Sequence, residues 1–194
     1  MKFFTDEMCG DITRWLRILG YNTCSPKDYQ NKTDGTIPDD DKIIEICLST
    51  FRILITKDYE ITKKMKMQFD KTLENKRNFL VNYSIDINSL EHPWYPCLLL
   101  RSNNLNDNLT EIHKNFNIEL DYGMEAARCP KCNSILQEVP KLNIDETQIP
   151  PNVYKYHSIF WVCSRPECGQ YFWKGTHFER IQTQLKTIKE RSLT

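Results

Sequence analysis

Short apolar runs alternate with stretches of helical periodicity over residues 1–123. Lys2–Thr5 is short and apolar-rich and predicts a first strand. Over Glu7–Leu19, residues Ile12, Trp15, Leu16 and Leu19 fall at i, i+3, i+4 and i+7, one face of a helix. Gly20 follows, where a helix commonly stops. Tyr21–Cys24 predicts a second strand, and the polar stretch Ser25–Pro38, with its prolines and glycine, a loop. Asp39–Ser49 predicts a helix with Ile43, Ile44 and Cys47 on one side. Arg52–Thr56 is the clearest strand: continuous, β-branched and bounded by polar residues, as a strand buried on both faces should be. Tyr59–Met67 predicts a helix, Asn78–Tyr83 and Cys97–Arg101 two more strands, and Leu105–Phe116 another helix. The segment His92-Pro93-Trp94-Tyr95-Pro96 cannot belong to one regular element. Strands alternating with helices predict an α/β fold, a parallel sheet with helices on both faces and right-handed crossovers.

After Gly123 the helical period disappears and paired cysteines begin. The expected organisation is two domains, 1–123 and 124–194, the second closing in a basic amphipathic helix over Phe178–Arg191. In that helix Phe178, Ile181, Leu185 and Ile188 share one face. The 194 residues are 40% apolar and 27% charged, which excludes a disordered or fibrous chain. Lys+Arg and Asp+Glu both number 26, so a globally basic nucleic-acid binder is excluded and a local basic face is not. Apolar runs such as Cys97–Leu100 are far below the ~18–20 residues of a membrane span, and no signal peptide is evident. A cytoplasmic protein without membrane contact is expected.

An intracellular chain keeps its thiols reduced, so the eight cysteines point to metal binding before disulfides. Cys9, Cys24, Cys47 and Cys97 stand singly among apolar neighbours and read as small buried hydrophobes. Cys129-Pro-Lys-Cys132 and Cys163-Ser-Arg-Pro-Glu-Cys168 form two knuckles, each able to present both sulfurs to one ion from a single turn. Four thiolates leave a zinc ion no open position, so the expected site is structural Zn²⁺ held by Cys129, Cys132, Cys163 and Cys168 in a zinc ribbon. Such an ion contributes folding energy to a module too small for a large core.

Asp6 follows the first strand and Asp58 the Arg52–Thr56 strand, at the carboxyl edge where ligands bind in open parallel sheets. Asp39-Asp40-Asp41 precedes a helix and is placed to reach the same crevice. Clustered carboxylates make a hard-oxygen site suited to Mg²⁺ or Mn²⁺, able to activate water and stabilise a phosphoryl transition state. The same residues suit plainer roles: Asp6 and Asp40 as helix caps, Asp58 as a turn residue.

The segments Phe3-Phe4-Thr5-Asp6-Glu7-Met8 and Arg14-Trp15-Leu16-Arg17-Ile18-Leu19-Gly20-Tyr21 resemble the opening of the Mut-seven C-terminal RNase domain family. The likeness continues through Asp40-Asp41-Lys42-Ile43-Ile44, Arg52-Ile53-Leu54-Ile55-Thr56-Lys57-Asp58 and Arg128-Cys129-Pro130-Lys131-Cys132-Asn133. It closes with Cys168-Gly169-Gln170-Tyr171-Phe172-Trp173-Lys174-Gly175-Thr176-His177. The resemblance implies a PIN-like nuclease domain fused to a zinc ribbon, and a metal-dependent ribonuclease. It further implies catalytic and metal-holding roles for Asp6, Asp40 and Asp58, with Glu7 or Glu60 as a fourth acid. Cys9 stands where the family usually has leucine, Lys57 replaces a usual arginine, and the second knuckle is wider than the common spacing.

For RNA, Arg14 and Arg17 are expected at neighbouring surface positions on the first helix, within reach of phosphates. Lys57, Lys63, Lys64, Lys66, Lys71, Lys76 and Arg77 make a candidate phosphate track, although a solvated helix would look the same. In the ribbon, Tyr171, Phe172, Trp173 and His177 surround Lys174. Phe172 is expected in the core and His177 in contact with substrate. His92, His113 and His157 have no partner at useful spacing. The expected partner is RNA, with a ribosome or other RNA–protein complex as a further one. Two other readings stay open: a non-catalytic RNA- or ribosome-binding module, and a receiver-like phosphate switch.

Overall fold

The structure, a computed structural model, describes residues 1–85 and 93–192; His92 lies outside the described residues. Strands β1 (Lys2–Thr5), β2 (Asn22–Cys24), β3 (Ile53–Thr56) and β4 (Cys97–Leu99) form one sheet in the order β2-β1-β3-β4, every pair parallel. Helices α1 (Gly10–Ile18), α2 (Asp40–Thr50), α3 (Tyr59–Asp70), α4 (Leu73–Tyr83) and α5 (Leu105–Phe116) complete this α/β region. By its contacts the chain divides into two compact units, Met1–Thr13 with Asn22–Asn108, and Arg14–Tyr21 with Leu109–Thr194.

In the first unit, register explains the layers. Phe4 pairs with Cys24 and Leu54, and Leu54 with Cys97, so these side chains share one sheet face. They pack with Ile43, Ile44, Ile46 and Cys47 of α2 and Ile61 and Met65 of α3. Phe3, Ile53 and Ile55 alternate to the opposite face and are also fully buried. On that face Thr5 Oγ1 lies 2.5 Å from Thr13 Oγ1 in the first turns of α1. Burial on both faces is why the strands read as unbroken apolar runs.

One expected strand is a helix. Asn78–Tyr83 is the second half of α4, capped at its end by Ser84 in the left-handed conformation. The run Phe79-Leu80-Val81 has strand-like composition, but only Phe79 is buried there while Val81 is 72% exposed. Phe79 packs edge-on against Phe51 and Phe69, and Tyr83, one turn later, donates its hydroxyl hydrogen to the Phe51 carbonyl. The i, i+4 spacing of these two rings was the helical signal that a short apolar run obscured. The expected helix over Glu7–Leu19 also opens differently, as a 3₁₀ turn at Glu7–Cys9 before α1 begins.

In the second unit, β5 (Leu136–Pro140), β6 (Ile159–Cys163) and β7 (Tyr171–Phe172) form an antiparallel sheet in that order. The arm between β5 and β6 carries α6 (Pro151–Tyr156), and α7 (Thr176–Ser192) follows β7. Ile144, Ile149 and Phe160 form a small core, with Val139, Val153, Tyr154, Tyr171 and Trp173 packed against it. Phe172, expected in the core, is half-buried and pairs with Trp161 across the strands. In α7 the expected face is observed: Ile181, Leu185 and Ile188 are buried.

Gly20 must be glycine. Its φ is +90°, and an added Cβ would stand 2.6 Å from the Ala126 carbonyl oxygen. Around it Arg128 donates Nε to the Gly20 carbonyl at 3.2 Å and its backbone N–H to the Arg17 carbonyl at 2.8 Å. No described helix is long and apolar enough to cross a membrane.

Candidate functional site

The acidic site begins where β1 and β3 end side by side. Asp6 is 8% exposed, and its backbone N–H bonds the Ile55 carbonyl at 3.2 Å. Its Oδ2 accepts from the Thr56 hydroxyl and from the Lys57 backbone N–H at 3.1 Å. Thr56 Oγ1 in turn accepts the Asp58 backbone N–H at 2.9 Å. One fully buried hydroxyl therefore bridges the carboxylate of Asp6 and the backbone of Asp58. The other oxygen, Asp6 Oδ1, is buried with no N–H or O–H donor on it, the weakly donating Cys9 thiol being the group beside the carboxylate. A charged oxygen left without a strong donor at a strand terminus is costly, unless something outside the chain completes it. Cys9 is buried beside it; burial pushes its thiol pKa up, and the Asp6 charge adds to the rise.

Asp58 caps α3, accepting the Glu60 N–H at 2.7 Å and the Ile61 N–H at 3.4 Å through Oδ1. Asp39, not Asp40, caps α2, accepting the Lys42 N–H at 2.9 Å. Asp40 instead places Oδ2 3.4 Å from Lys64 Nζ, and Asp41 Oδ1 lies 3.7 Å from the same ammonium. The hydrogen bond to Asp40 and the charge of Asp41 raise the Lys64 pKa. The structure does not gather Asp6, Asp40 and Asp58 tightly. Among the described residues, the four cysteines are the one group of three or more such side chains with ligand atoms within 4.8 Å of one another. Glu7 and Glu60 are both exposed, in the first turns of their helices. Thr56 was missed by sequence reasoning, and Lys64, expected in a phosphate track, pairs with Asp40 and Asp41 instead. A polar residue closing the buried run Ile53-Leu54-Ile55 was the available sign for Thr56.

The basic residues divide. Arg14 is exposed as expected. Arg17 is not at the surface: it is 3% exposed and donates Nη1 to the carbonyls of Pro130 at 3.1 Å and Lys131 at 3.2 Å. Its place on the helical face beside Leu16 carries it inward, where its guanidinium satisfies the turn of the first knuckle. Lys57 donates Nζ to Asn103 Oδ1 at 3.3 Å. The lysine stretch is partly neutralised, with Lys76 on Asp70 at 2.6 Å and Lys66 5.0 Å above the Tyr95 ring. Lys63, Lys71 and Arg77 are exposed, as is His177 at the start of α7. His113 is engaged by the Ile118 carbonyl at 2.6 Å.

The cysteine site is compact. Cys129 and Cys168 place their sulfurs 3.7 Å apart, and Cys132 and Cys163 theirs 3.3 Å apart. No cysteine among the described residues forms a disulfide. A tetrahedral ion with bonds near ~2.3 Å has sulfur–sulfur edges of about 3.8 Å, so the four sulfurs are spaced to hold a metal ion and are compatible with a zinc ribbon. Local backbone explains the convergence. The Cys129 N–H bonds the Ser134 carbonyl at 2.8 Å while Asn133 turns left-handed at φ 67°. In the wider knuckle, Cys168 N–H bonds the Arg165 carbonyl at 3.0 Å and Gly169 takes φ 51°. The extra residues are absorbed in the turn.

The class defined is a parallel α/β sheet with a buried acid at its carboxyl edge, followed by a four-cysteine cluster compatible with a zinc ribbon. Comparison with known families then gives the particular one: the Mut7-C RNAse domain model matches residues 1–185, and the chain belongs to that family. No curated relative and no solved structure matches it.

Proposed function

We propose that this protein is a metal-dependent ribonuclease that hydrolyses RNA phosphodiester bonds. Family membership supplies the substrate class. The observation that carries the catalytic reading is Asp6 Oδ1, buried at the carboxyl edge of β1 with no N–H or O–H donor on it. A hard divalent cation fits that oxygen, and the carboxylates that would hold it are Asp6 and Asp58, with Asp40 from the start of α2. When bound, Mg²⁺ or Mn²⁺ supplies the lowered water pKa and charge stabilisation that phosphodiester hydrolysis requires.

The chain's own residues do the rest. Thr56 and the Lys57 N–H fix the Asp6 carboxylate through Oδ2, so that Oδ1 keeps one orientation. Capping holds Asp58 by Oδ1 and leaves Oδ2 for the site. Lys57 and Arg14 are cations for phosphate, and the ribbon, with His177, positions the strand. Zn²⁺ is the ion that Cys129, Cys132, Cys163 and Cys168 would hold, in a structural role. The fold is of the PIN-like kind, with residues 1–123 as the nuclease domain, residues 124–194 as the ribbon domain, and the cytoplasm as the place of action.

Asparagine caps helices as well as aspartate does, so Asp58→Asn keeps α3 while removing the charge. Labelled RNAs incubated with Mn²⁺ should be cut by the parent protein and not by this variant. A second reading, a non-catalytic RNA-binding module, draws on the open spacing of the three acids and the pairing of Asp40 with Lys64. It requires equal RNA shifts on a gel for parent and variant, with no cleavage by either.

A further inference from the structure

We propose that the ribbon carries a subsite for one unpaired base of single-stranded RNA; this rests on the ribonuclease reading and names where its substrate is held. A cleft of about 510 Å³ opens in the second unit, lined by Val162, Tyr171, Trp173, Gln148 and Gln170, with Gly169 and the cluster's Cys168 beside them. Its volume falls within the ~300–1,000 Å³ of small-ligand sites.

The strand register builds the stacking surface. Tyr171 on β7 pairs with Val162 on β6, and Trp173 lies two residues beyond Tyr171. Tyr171 and Val162 therefore share a sheet face, and Trp173, just past the end of β7, packs with Tyr171 against the same small core. Both rings pack against the ribbon core yet remain half-exposed. Neither the Tyr171 hydroxyl nor the Trp173 indole N–H has a hydrogen-bond partner among the described residues. Gln170 donates Nε2 to the Tyr171 carbonyl at 3.3 Å, which tethers its amide and leaves its side-chain oxygen free. β7 is the edge strand of its sheet, so the approach is not blocked by another strand.

Half-exposed rings, amides and a close glycine backbone, with no Lys, Arg, Asp or Glu among the lining residues, match a neutral heterocycle and not a phosphate. Rings stack on any base, and amides reach its edges, which is how unpaired bases are held. The cleft complements the acidic site in chemistry: one holds a base, the other acts on the backbone.

The test uses the full-length chain in the Asp58→Asn background, with zinc content measured for every variant. The probes are a fluorescein-labelled ten-nucleotide RNA of mixed sequence and its abasic counterpart. Trp173→Leu should weaken binding of the intact RNA about tenfold. Gln148→Ala, at an exposed position that leaves the core alone, should weaken it several-fold. The abasic strand should bind parent and variants alike. Equal affinities for intact RNA across zinc-replete proteins, or tight binding of the abasic strand, would overturn the subsite. If Trp173→Leu loses zinc, Gln148→Ala decides. Cleavage by the wild-type protein is measured in parallel. RNA cutting with a KM unchanged by Gln148→Ala removes the subsite and leaves the ribonuclease. Base-dependent binding lost in the variants without any cutting leaves the subsite and removes the ribonuclease.

Discussion

Replacing Thr56 by valine keeps shape and removes one hydroxyl. That hydroxyl is fully buried, donates to Asp6 Oδ2 and accepts the Asp58 N–H. Its loss leaves a carboxylate oxygen with the Lys57 N–H alone and an amide without its acceptor. A hydrogen bond to a charged group contributes ~1.5–3 kcal/mol, and the added methyl recovers part of that. The expected net cost is about 2 kcal/mol. For a chain of 194 residues this corresponds to a Tm drop of about 4–8 °C. Thr56→Ser keeps the hydroxyl and loses one buried methyl, about 1 kcal/mol. Urea unfolding followed by tryptophan fluorescence should rank wild type above serine above valine. Cleavage should fall further in the valine variant than in the serine one, because only valine frees the Asp6 carboxylate to turn. A valine variant as stable and active as the serine variant would refute the bridging role.

Other outcomes follow from the same geometry. Gly20→Ala combines a left-handed φ with a backbone clash at Ala126, and should cost ~2–3 kcal/mol in the urea midpoint. Arg17→Met strands the Pro130 and Lys131 carbonyls and should destabilise by ~2–4 kcal/mol, while RNA affinity of the folded protein stays unchanged; weaker RNA binding at unchanged stability would restore its phosphate role. In thiol titration of the metal-loaded protein at pH 8, a chelator should release the four thiols of the cluster, and denaturant all eight. Rapid reaction of the cluster without chelator would contradict a bound ion.

The parts of this protein legible in its sequence are those set by burial on two faces. Lys2–Thr5 and Ile53–Thr56 announced themselves because a strand covered on both sides has no polar period. The cysteine knuckles were equally plain, since ligand spacing along the chain is nearly the geometry itself. Phe79-Leu80-Val81 was not, because three apolar residues satisfy either period until a partner such as Phe69 chooses. Arg17 hid for a related reason: an arginine on a helix edge reads as surface unless the carbonyls that bind it, over a hundred residues later, are known. At the acidic site the sequence showed which acids end strands but not their division of labour. Asp39 rather than Asp40 caps α2, Asp58 caps α3, and a threonine orients Asp6.

The most direct measurement is the rate of cleavage of a labelled single-stranded RNA across a Mn²⁺ titration, by wild type and by Asp6→Asn, with urea midpoints for both. Cleavage that rises with Mn²⁺ in the wild type, and is lost at every concentration in a folded Asp6→Asn protein, is the predicted result. Metal-independent cleavage, or an Asp6→Asn variant that cuts as fast as wild type, would contradict the assignment of this buried carboxylate as the centre of the nuclease.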